Sequence, residues 1–177
     1  QDETLAIAKR LGVTQSIKHN QNIGYGGNQK TCFDAALERN ADIVILLHPD
    51  YQYTPKLITP MCQLISNDLH DIVLGARILG GSAHSGGMPY YKYVANRILT
   101  AFQNLLTGQK LSEYHTGYRA YSAQALRAIN YHKNSDNFIF DNQIIFQLLM
   151  KKLRVGEISC PTRYQKDSSS INFLRSF

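Results

Sequence analysis

"DIVILLHPDYQYTP", residues 42–55, decides how the rest of the chain is read. Ile43 to Leu47 is an apolar run of strand length, short and β-branched enough to be a buried strand. It stops at His48-Pro49-Asp50, with Gln52 and Pro55 following. On an extended segment alternate side chains point the same way, so His48, Asp50 and Gln52 are expected to converge at the mouth of a sheet. A carboxylate, an amide oxygen and an imidazole together suit a divalent cation. Oxygen ligands favour Mg²⁺, and the imidazole nitrogen brings in Mn²⁺. Such a cation has a clear use if the substrate carries a diphosphate, because it neutralises the charge that develops on the leaving group. The plainer reading is a polar loop that closes a strand, with Asp50 starting a turn. Spacing alone leaves both open.

Outward from this stretch the pattern alternates. Thr4 to Leu11 has helical spacing and ends at Gly12, a good helix stop. Residues 13–19 read as a short strand, and 20–28, "NQNIGYGGN", as a Gly- and Asn-rich loop. Helical period returns over 28–39, with Cys32, Phe33, Ala36 and Leu37 on one face. Lys56 to Ser66 is a helix, and "DIVLGAR" (71–77) a second buried strand. Alternating helices and strands predict a parallel sheet covered on its faces. Ligands then bind beyond the carboxyl ends of the strands. His48 to Gln52 and Arg77 are at two such ends.

The second half opens with "ILGGSAHSGGMP" (78–89), expected to be a mobile loop. A long helix over Tyr90 to Thr107 follows, capped by Gly108. Tyr91, Val94, Ile98, Leu99, Phe102, Leu105 and Leu106 mark its apolar face, expected to turn inward. "SEYHTGYRAYS" (112–122) reads as extended or hairpin. Then come a short helix (123–129), a helix after "NFIFD" (137–141), a last strand (154–160), and a tail that is polar and then weakly amphipathic.

Bulk composition sets limits. The chain has 177 residues, one domain's worth, with 44% hydrophobic and 18% charged residues, ordinary for a globular protein. No apolar stretch approaches the roughly 20 residues that span a bilayer. The opening Gln1-Asp2-Glu3-Thr4 has neither the basic nor the apolar region of a signal peptide. It also lacks a starting Met, which fits a processed chain or a piece of a longer one. Cys32, Cys62 and Cys160 are scattered and form no CxxC pair, which fits a reducing, cytoplasmic compartment. A net charge of +6 favours anionic ligands such as nucleotide phosphates, nucleic acid or an acidic membrane surface.

With these segments in place, the chain resembles the family 2 glycosyltransferases, in particular the dolichol-phosphate mannose synthase-like branch. His48-Pro49-Asp50-Tyr51-Gln52-Tyr53-Thr54-Pro55 stands where that family has Asp-x-Asp-x-Gln-x-x-Pro. "NIGYGGNQKTCFDAAL" (22–37) is similar to its Gly-rich loop and helix, and "DIVLGAR" to its Asp-x-Val-x-Gly-Ser-Arg strand. "NRILTAFQNLLTG" (96–108) is similar to its Arg-containing helix. "EYHTGYRAYS" (113–122) matches Asp-x-x-Ser-Gly-Phe-Arg, "NFIFDNQI" (137–144) matches Gly-Phe-x-Phe-Asp-x-Glu, and "VGEISCPTRY" (155–164) matches the closing strand. Order and spacing carry the resemblance over nearly the whole chain.

The resemblance implies a fold and a set of roles. The fold is α/β, a three-layer α/β/α sandwich of the GT-A, Rossmann-like type with a mostly parallel sheet. Residues 1–77 would form the nucleotide-sugar and metal half, and 78–177 the acceptor half. The family's two opening strands, Val-Ile-Pro-x-Tyr-Asn-Glu and one ending Asp-Asp-Gly-Ser, are not in this sequence. The sheet is therefore expected to be N-terminally incomplete, with an exposed strand edge. Asp50 would be the main metal ligand, aided by Gln52 and by His48 in place of the usual first Asp. Gly26 and Gly27 would let backbone approach the nucleotide, with Lys30 supplying charge, or would form a plain turn. Arg77 would be near the sugar or diphosphate. Arg97 and Arg119 would hold phosphate, or else be a solvated helix residue and a backbone-bonding arginine respectively. Glu113 would be the catalytic acceptor-side carboxylate, a base toward a hydroxyl and a positioning group toward an acceptor that is already an anion. His115 would touch substrate or be a buried imidazole, and Asp141 would cap the helix after it.

The implied activity is an inverting, metal-dependent transfer of a sugar from a nucleotide-diphosphate donor to a lipid phosphate, such as a polyprenyl phosphate, or to a glycan. The work would be cytoplasmic, at the inner face of a membrane. Peripheral membrane association and a homo-oligomer are both compatible with it. A different class, a catalytically inactive module that binds a sugar nucleotide or a partner chain, is marked by ligand binding without turnover. Nucleic acid is not expected as a partner, because the basic residues are dispersed and no aromatics interleave with them.

Overall fold

The computed structural model describes residues 3–81, 83 and 86–163. The described elements are α1 (Thr4–Arg10), α2 (Gly24–Glu38), β1 (Ile43–Leu46), α3 (Ile58–Ser66), β2 (Ile72–Ala76), α4 (Tyr90–Thr107), β3 (Arg119–Ser122), α5 (Ala123–Arg127), α6 (Phe140–Met150) and β4 (Val155–Ser159). Short 3₁₀ turns at Pro55–Leu57 and Tyr131–Lys133 precede α3 and α6.

The strands form one sheet in the order β1-β3-β2-β4. β2 and β4 pair in parallel, while β3 runs antiparallel to both β1 and β2. Three of the four strands thus share a direction, but β3 slots between β1 and β2. Alternation of helices and strands did not predict this insertion, because pattern reports elements and not their neighbours. Its consequence is functional. Leu46 and Leu74 both pair with Arg119, so the segment leading into β3 lies at the carboxyl ends of β1 and β2.

Apolar layers cover both faces. On one, Phe33, Ile72, Leu74, Tyr121, Phe140, Ile144, Ile145 and Leu148 pack α2, α5 and α6 against the sheet. On the other, Tyr53, Met61, Ile65, Val73, Tyr118, Ala120 and Cys160 hold α3. Alternation along β2 explains the split: Ile72 and Leu74 face one layer and Val73 the other.

Two expectations fail. No strand forms over residues 13–19, where Val13 and Ile17 are exposed. A strand needs a partner for its ladder hydrogen bonds, and among the described residues this segment has none. The second failure is the orientation of α4. Its bounds agree with the sequence reading, but its apolar face points outward. Ile98 is 65% exposed and Leu105 80%, while Asn96 and Thr100 are buried. Periodicity tells which residues share a face, not which way that face turns. The tail beyond residue 163 and part of the 78–89 loop lie outside the described residues.

Candidate active site

The carboxyl end of β1 leaves the sheet through a bend, not an extended segment. Asp50 Oδ1 accepts the backbone N–H of Gln52 at 3.1 Å, and Tyr51 adopts a left-handed φ of 58°. This is a local carboxylate-closed turn of the kind Asp favours. The bend breaks the alternation that was to align His48, Asp50 and Gln52. His48 turns into the body of the protein. Its Nε2 lies 3.3 Å from the Tyr25 hydroxyl, and its ring packs edge-on to Tyr53. A Cβ on Gly117 would approach the His48 ring to 3.1 Å, so glycine there leaves room for the imidazole. The three side chains therefore do not share the straight extended backbone that strict alternation requires. Among the described residues no group of three or more His, Cys, Asp or Glu side chains is placed to hold a metal ion. Asp50, half-buried at the strand mouth, fits a different mode, in which one carboxylate and the phosphates of a substrate share a hydrated cation.

The carboxyl end of β2 delivers Arg77 to Glu113. Glu113 is fully buried. Its Oε2 accepts the Arg77 backbone N–H and its Oε1 the Arg77 Nε, each at 2.9 Å. Arg77 Nη2 also contacts Oε1, and Asn96 Nδ2 donates to it at 2.8 Å. Burial pushes against ionisation of Glu113. The charge and hydrogen bonds of Arg77, with Asn96, outweigh it and hold the carboxyl below its ordinary range. Both oxygens are engaged, and the group is ionised. That describes a carboxylate that fixes an arginine more than one that collects a proton. Arg77 Nη2 reaches on to the His115 carbonyl at 2.9 Å.

Arg119, expected to hold phosphate, is fully buried. Its Nε donates to the Thr116 carbonyl at 2.7 Å, Nη1 to the Asp141 carbonyl at 2.6 Å, and Nη2 to the Tyr114 carbonyl at 2.9 Å. The guanidinium is committed to tying β3 to α6. Arg97, exposed on α4, donates from Nη1 to the Ser112 carbonyl at 2.9 Å. Lys30 pairs with Asp136 at 2.7 Å and also bonds the Asn134 carbonyl. Gly26 and Gly27 lie in the first turn of α2, not in a loop. A Cβ on Gly26 would come within 2.3 Å of the Ser135 carbonyl oxygen. In this structure Gly26 therefore serves close packing of α2 on the 134–140 segment. Asp141 does not cap α6: Ile139 occupies the N-cap position, and Asp141 Oδ2 instead accepts the Tyr25 hydroxyl at 2.9 Å.

These contacts join the two strand ends. Tyr25, His48, Gly117, Arg77, Glu113, His115, Asp141 and Asn142 form one network at the carboxyl end of the sheet. Within it His115 Nε2, Asp141 Oδ1 and Asn142 Oδ1 are buried with no hydrogen-bond partner. Such atoms are few in native proteins, and ligand sites are one place that keeps them. Sequence reading missed Tyr25, Asn96 and Asn142. A signal existed for Asn96: with Thr100, Asn104 and Thr107 it makes a polar stripe at helical spacing on a helix read only for its apolar residues. An open groove of about 570 Å³ lined by His70, Gln109, Leu153 and Arg154 lies at the opposite end of β2 and β4. Its Arg154 is bound to Asp68 and Asp71.

Burial holds the His115 pKa below its ordinary value of 6.5, against the attraction of Glu113. A histidine depressed in the folded state loses stability as the medium acidifies below the unfolded value, where the unfolded chain binds the proton first. Glu113 adds a second loss lower down, as pH falls from its ordinary 4.5 toward the folded value. Urea denaturation at stepped pH should therefore show stability level around neutral pH and declining below about pH 6.5. His115→Gln should remove the upper phase and keep the lower.

The family model for glycosyl transferase family 2 matches residues 1–129, and the chain belongs to that family. A UDP-N-acetylglucosamine–dolichyl-phosphate N-acetylglucosaminyltransferase of Methanococcus voltae is 31% identical over 86% of this chain and 61% of its own length. A dolichyl-phosphate hexose transferase of Haloferax volcanii is 24% identical over 97% of this chain and 70% of its own. Among solved structures, glucosyl-3-phosphoglycerate synthase from Mycobacterium tuberculosis, in complex with Mn²⁺, UDP and glucosyl-3-phosphoglycerate, superposes with a TM-score of 0.58. The identity is 13%, over 93% of this chain and 58% of that one. The likeness shows a shared GT-A fold. The chain spans about six-tenths of the Methanococcus relative and of the mycobacterial synthase.

Proposed function

We propose that this chain is the greater part of an inverting glycosyltransferase that takes a sugar from a nucleotide-diphosphate donor and passes it to a lipid phosphate. What supports the reading is that Asp50, at the β1 exit, and the Arg77–Glu113 pair, at the β2 exit, both lie at the carboxyl end of the sheet in a chain of family 2. The dolichyl-phosphate relatives support the acceptor class. The Mn²⁺- and UDP-bound relative of the same fold supports the donor class.

On this reading Asp50 would hold a Mg²⁺ or Mn²⁺, which would supply charge neutralisation to the leaving diphosphate when bound. Arg77, fixed by Glu113, presents positive charge beside the transferring sugar. A phosphate acceptor is already an anion, so attack on the anomeric carbon needs no base. That agrees with a Glu113 whose oxygens are both engaged. His115 Nε2, Asn142 Oδ1 and Asp141 Oδ1, which accepts no hydrogen bond although it lies 3.8 Å from the Arg119 guanidinium, are suited to sugar hydroxyls. The work is cytoplasmic, at the inner face of a membrane.

Calorimetric titration with UDP- and GDP-linked sugars, with and without Mn²⁺, tests the reading. Asp50→Ala is expected to abolish metal-dependent donor binding while changing stability by less than about 1 kcal/mol, since the side chain makes one local turn bond. Donor binding untouched by Asp50→Ala would remove Asp50 from the site. Binding without turnover would instead favour an inactive sugar-nucleotide-binding module.

A further inference from the structure

Tyr25, in the first turn of α2, reaches two other elements at once. Its hydroxyl donates to Asp141 Oδ2 on α6 at 2.9 Å, and His48 Nε2 at the β1 exit lies 3.3 Å from the same oxygen. A phenol has one proton to give, and a carboxylate accepts. That proton goes to Asp141, so the imidazole nitrogen is the donor toward the Tyr25 oxygen. The ring is held as firmly as the hydroxyl. It stacks on Phe138 with centroids 4.9 Å apart and meets the His48 ring at 5.7 Å. The backbone beneath it is tied to the same region, because the Gly26 N–H bonds the Asp136 carbonyl at 2.8 Å.

What this bond controls is the other oxygen of Asp141. Oδ1 is shut off from solvent and accepts no hydrogen bond. A partner is close by. Arg119 Nη1 lies 3.8 Å from Oδ1, beyond hydrogen-bond distance, in a fully buried guanidinium. A guanidinium has five N–H groups, and the carbonyls of Thr116, Asp141 and Tyr114 take three of them. Capacity for a carboxylate remains, and a charge-assisted bond at such a buried site would be strong. Asp141 is nevertheless turned away from it, with Oδ2 on the Tyr25 hydroxyl. Closed on Arg119, Asp141 would be a satisfied structural ion pair. Held off, it keeps one acceptor oxygen unspent beside His115 and Asn142, whose Nε2 and Oδ1 are also without partners.

We propose that Tyr25 is a positioning residue: its hydroxyl holds the Asp141 carboxylate off Arg119, so that Oδ1 stays available to a hydroxyl of the donor sugar. The proposal rests on the sugar-donor reading and deepens it. It makes the two ends of the donor separable. Asp50 serves the diphosphate end, and the Tyr25–Asp141 pair serves the sugar end alone. A site built to pair a sugar hydroxyl discriminates by what it leaves unpaired when that hydroxyl is absent, so the pair also contributes to the choice of sugar.

The test is calorimetry with Mn²⁺ on the wild type, Tyr25→Phe and Asp141→Asn. UDP is compared with UDP-glucose and UDP-N-acetylglucosamine, and GDP with GDP-mannose. Phenylalanine keeps the stack on Phe138 and removes the hydroxyl. Tyr25→Phe should weaken the conjugate that the wild type binds by roughly ten- to a hundredfold, the range of one hydrogen bond to a charged group. Its affinity for the free nucleotide should be unchanged. Asp141→Asn should show the same split, and the double variant should lose no more than Asp141→Asn alone, since both act through one oxygen. Without ligand, the crystal structure of Tyr25→Phe should show Asp141 Oδ1 closed onto Arg119. Conjugate binding equal to wild type in Tyr25→Phe overturns the proposal. So does a loss that falls equally on free nucleotide and conjugate, which is what a merely structural role would give. An Asp141 that stays 3.8 Å from Arg119 in the variant overturns it as well. A wild type that binds none of these nucleotides removes the donor-site reading itself, and the proposal with it. Conjugate binding lost in Asp50→Ala but kept in Tyr25→Phe overturns the proposal alone, so the two failures are distinguishable.

Discussion

Glu113→Ala is expected to destabilise the fold by about 3–5 kcal/mol, the range for stripping one partner from a buried ion pair. The Arg77 guanidinium, with a side chain 13% exposed, would lose its counter-charge, and the Asn96 amide would lose its acceptor. On the proposed reading transfer should fall with stability, because Arg77 would lose the carboxylate that fixes it. Glu113→Gln separates the two roles. The amide keeps the shape and gives up the charge, so denaturant midpoint and turnover should fall together, with no pH–rate limb disappearing. Full stability with abolished turnover in Glu113→Gln would make the carboxylate a base after all.

Arg119→Met should cost about 4 kcal/mol or more, since the carbonyls of Tyr114, Thr116 and Asp141 each lose a buried donor. Arg119→Lys should recover part of the loss, because an ammonium cannot reproduce the planar three-way fork. Urea denaturation measures both. Below the melting transition, donor binding by Arg119→Lys should equal that of the wild type, because the side chain bonds backbone and not ligand. A Lys variant with full stability and weakened donor binding would return Arg119 to the phosphate site.

The two variants mark how far residues could be read as roles. Arg119 and Glu113 were both visible as chemistry-bearing residues in one motif. Sequence offered Arg119 a phosphate-holding and a backbone-bonding reading, and Glu113 those of a base and of a positioning group, and nothing in the spacing chose between them. The choice depends on what lies within hydrogen-bond distance, and those partners come from elsewhere in the chain: Asp141 for Arg119, Arg77 and Asn96 for Glu113. The expectation that His48, Asp50 and Gln52 align rested on a more local assumption. An alternating pattern converges only on an extended backbone, and the Asp50 carboxylate closes its own turn and bends the chain. Lys30 and Gly26 were read as a ligand cradle because glycines beside a lysine have that look. Their contacts with residues 134–136 come from more than a hundred positions downstream.

What the sequence determined by itself is the element inventory, apart from the strand expected over 13–19, and the end of the sheet where the candidate site lies. Apolar runs of strand length, helical periods and Gly stops are local signals, and local physics reads them well. Family membership was legible for a related reason, since order and spacing of motifs survive without knowledge of contacts. Only the tertiary structure decided the rest. It inserted β3 antiparallel between β1 and β2, left residues 13–19 without a ladder, turned His48 inward against Gly117, and set α4 with its polar face to the protein. Each of these depends on which groups far apart in sequence satisfy one another's hydrogen bonds. A buried polar group left unpaired costs more than an apolar side chain left in water. For α4 that balance overruled the apolar stripe and turned it outward.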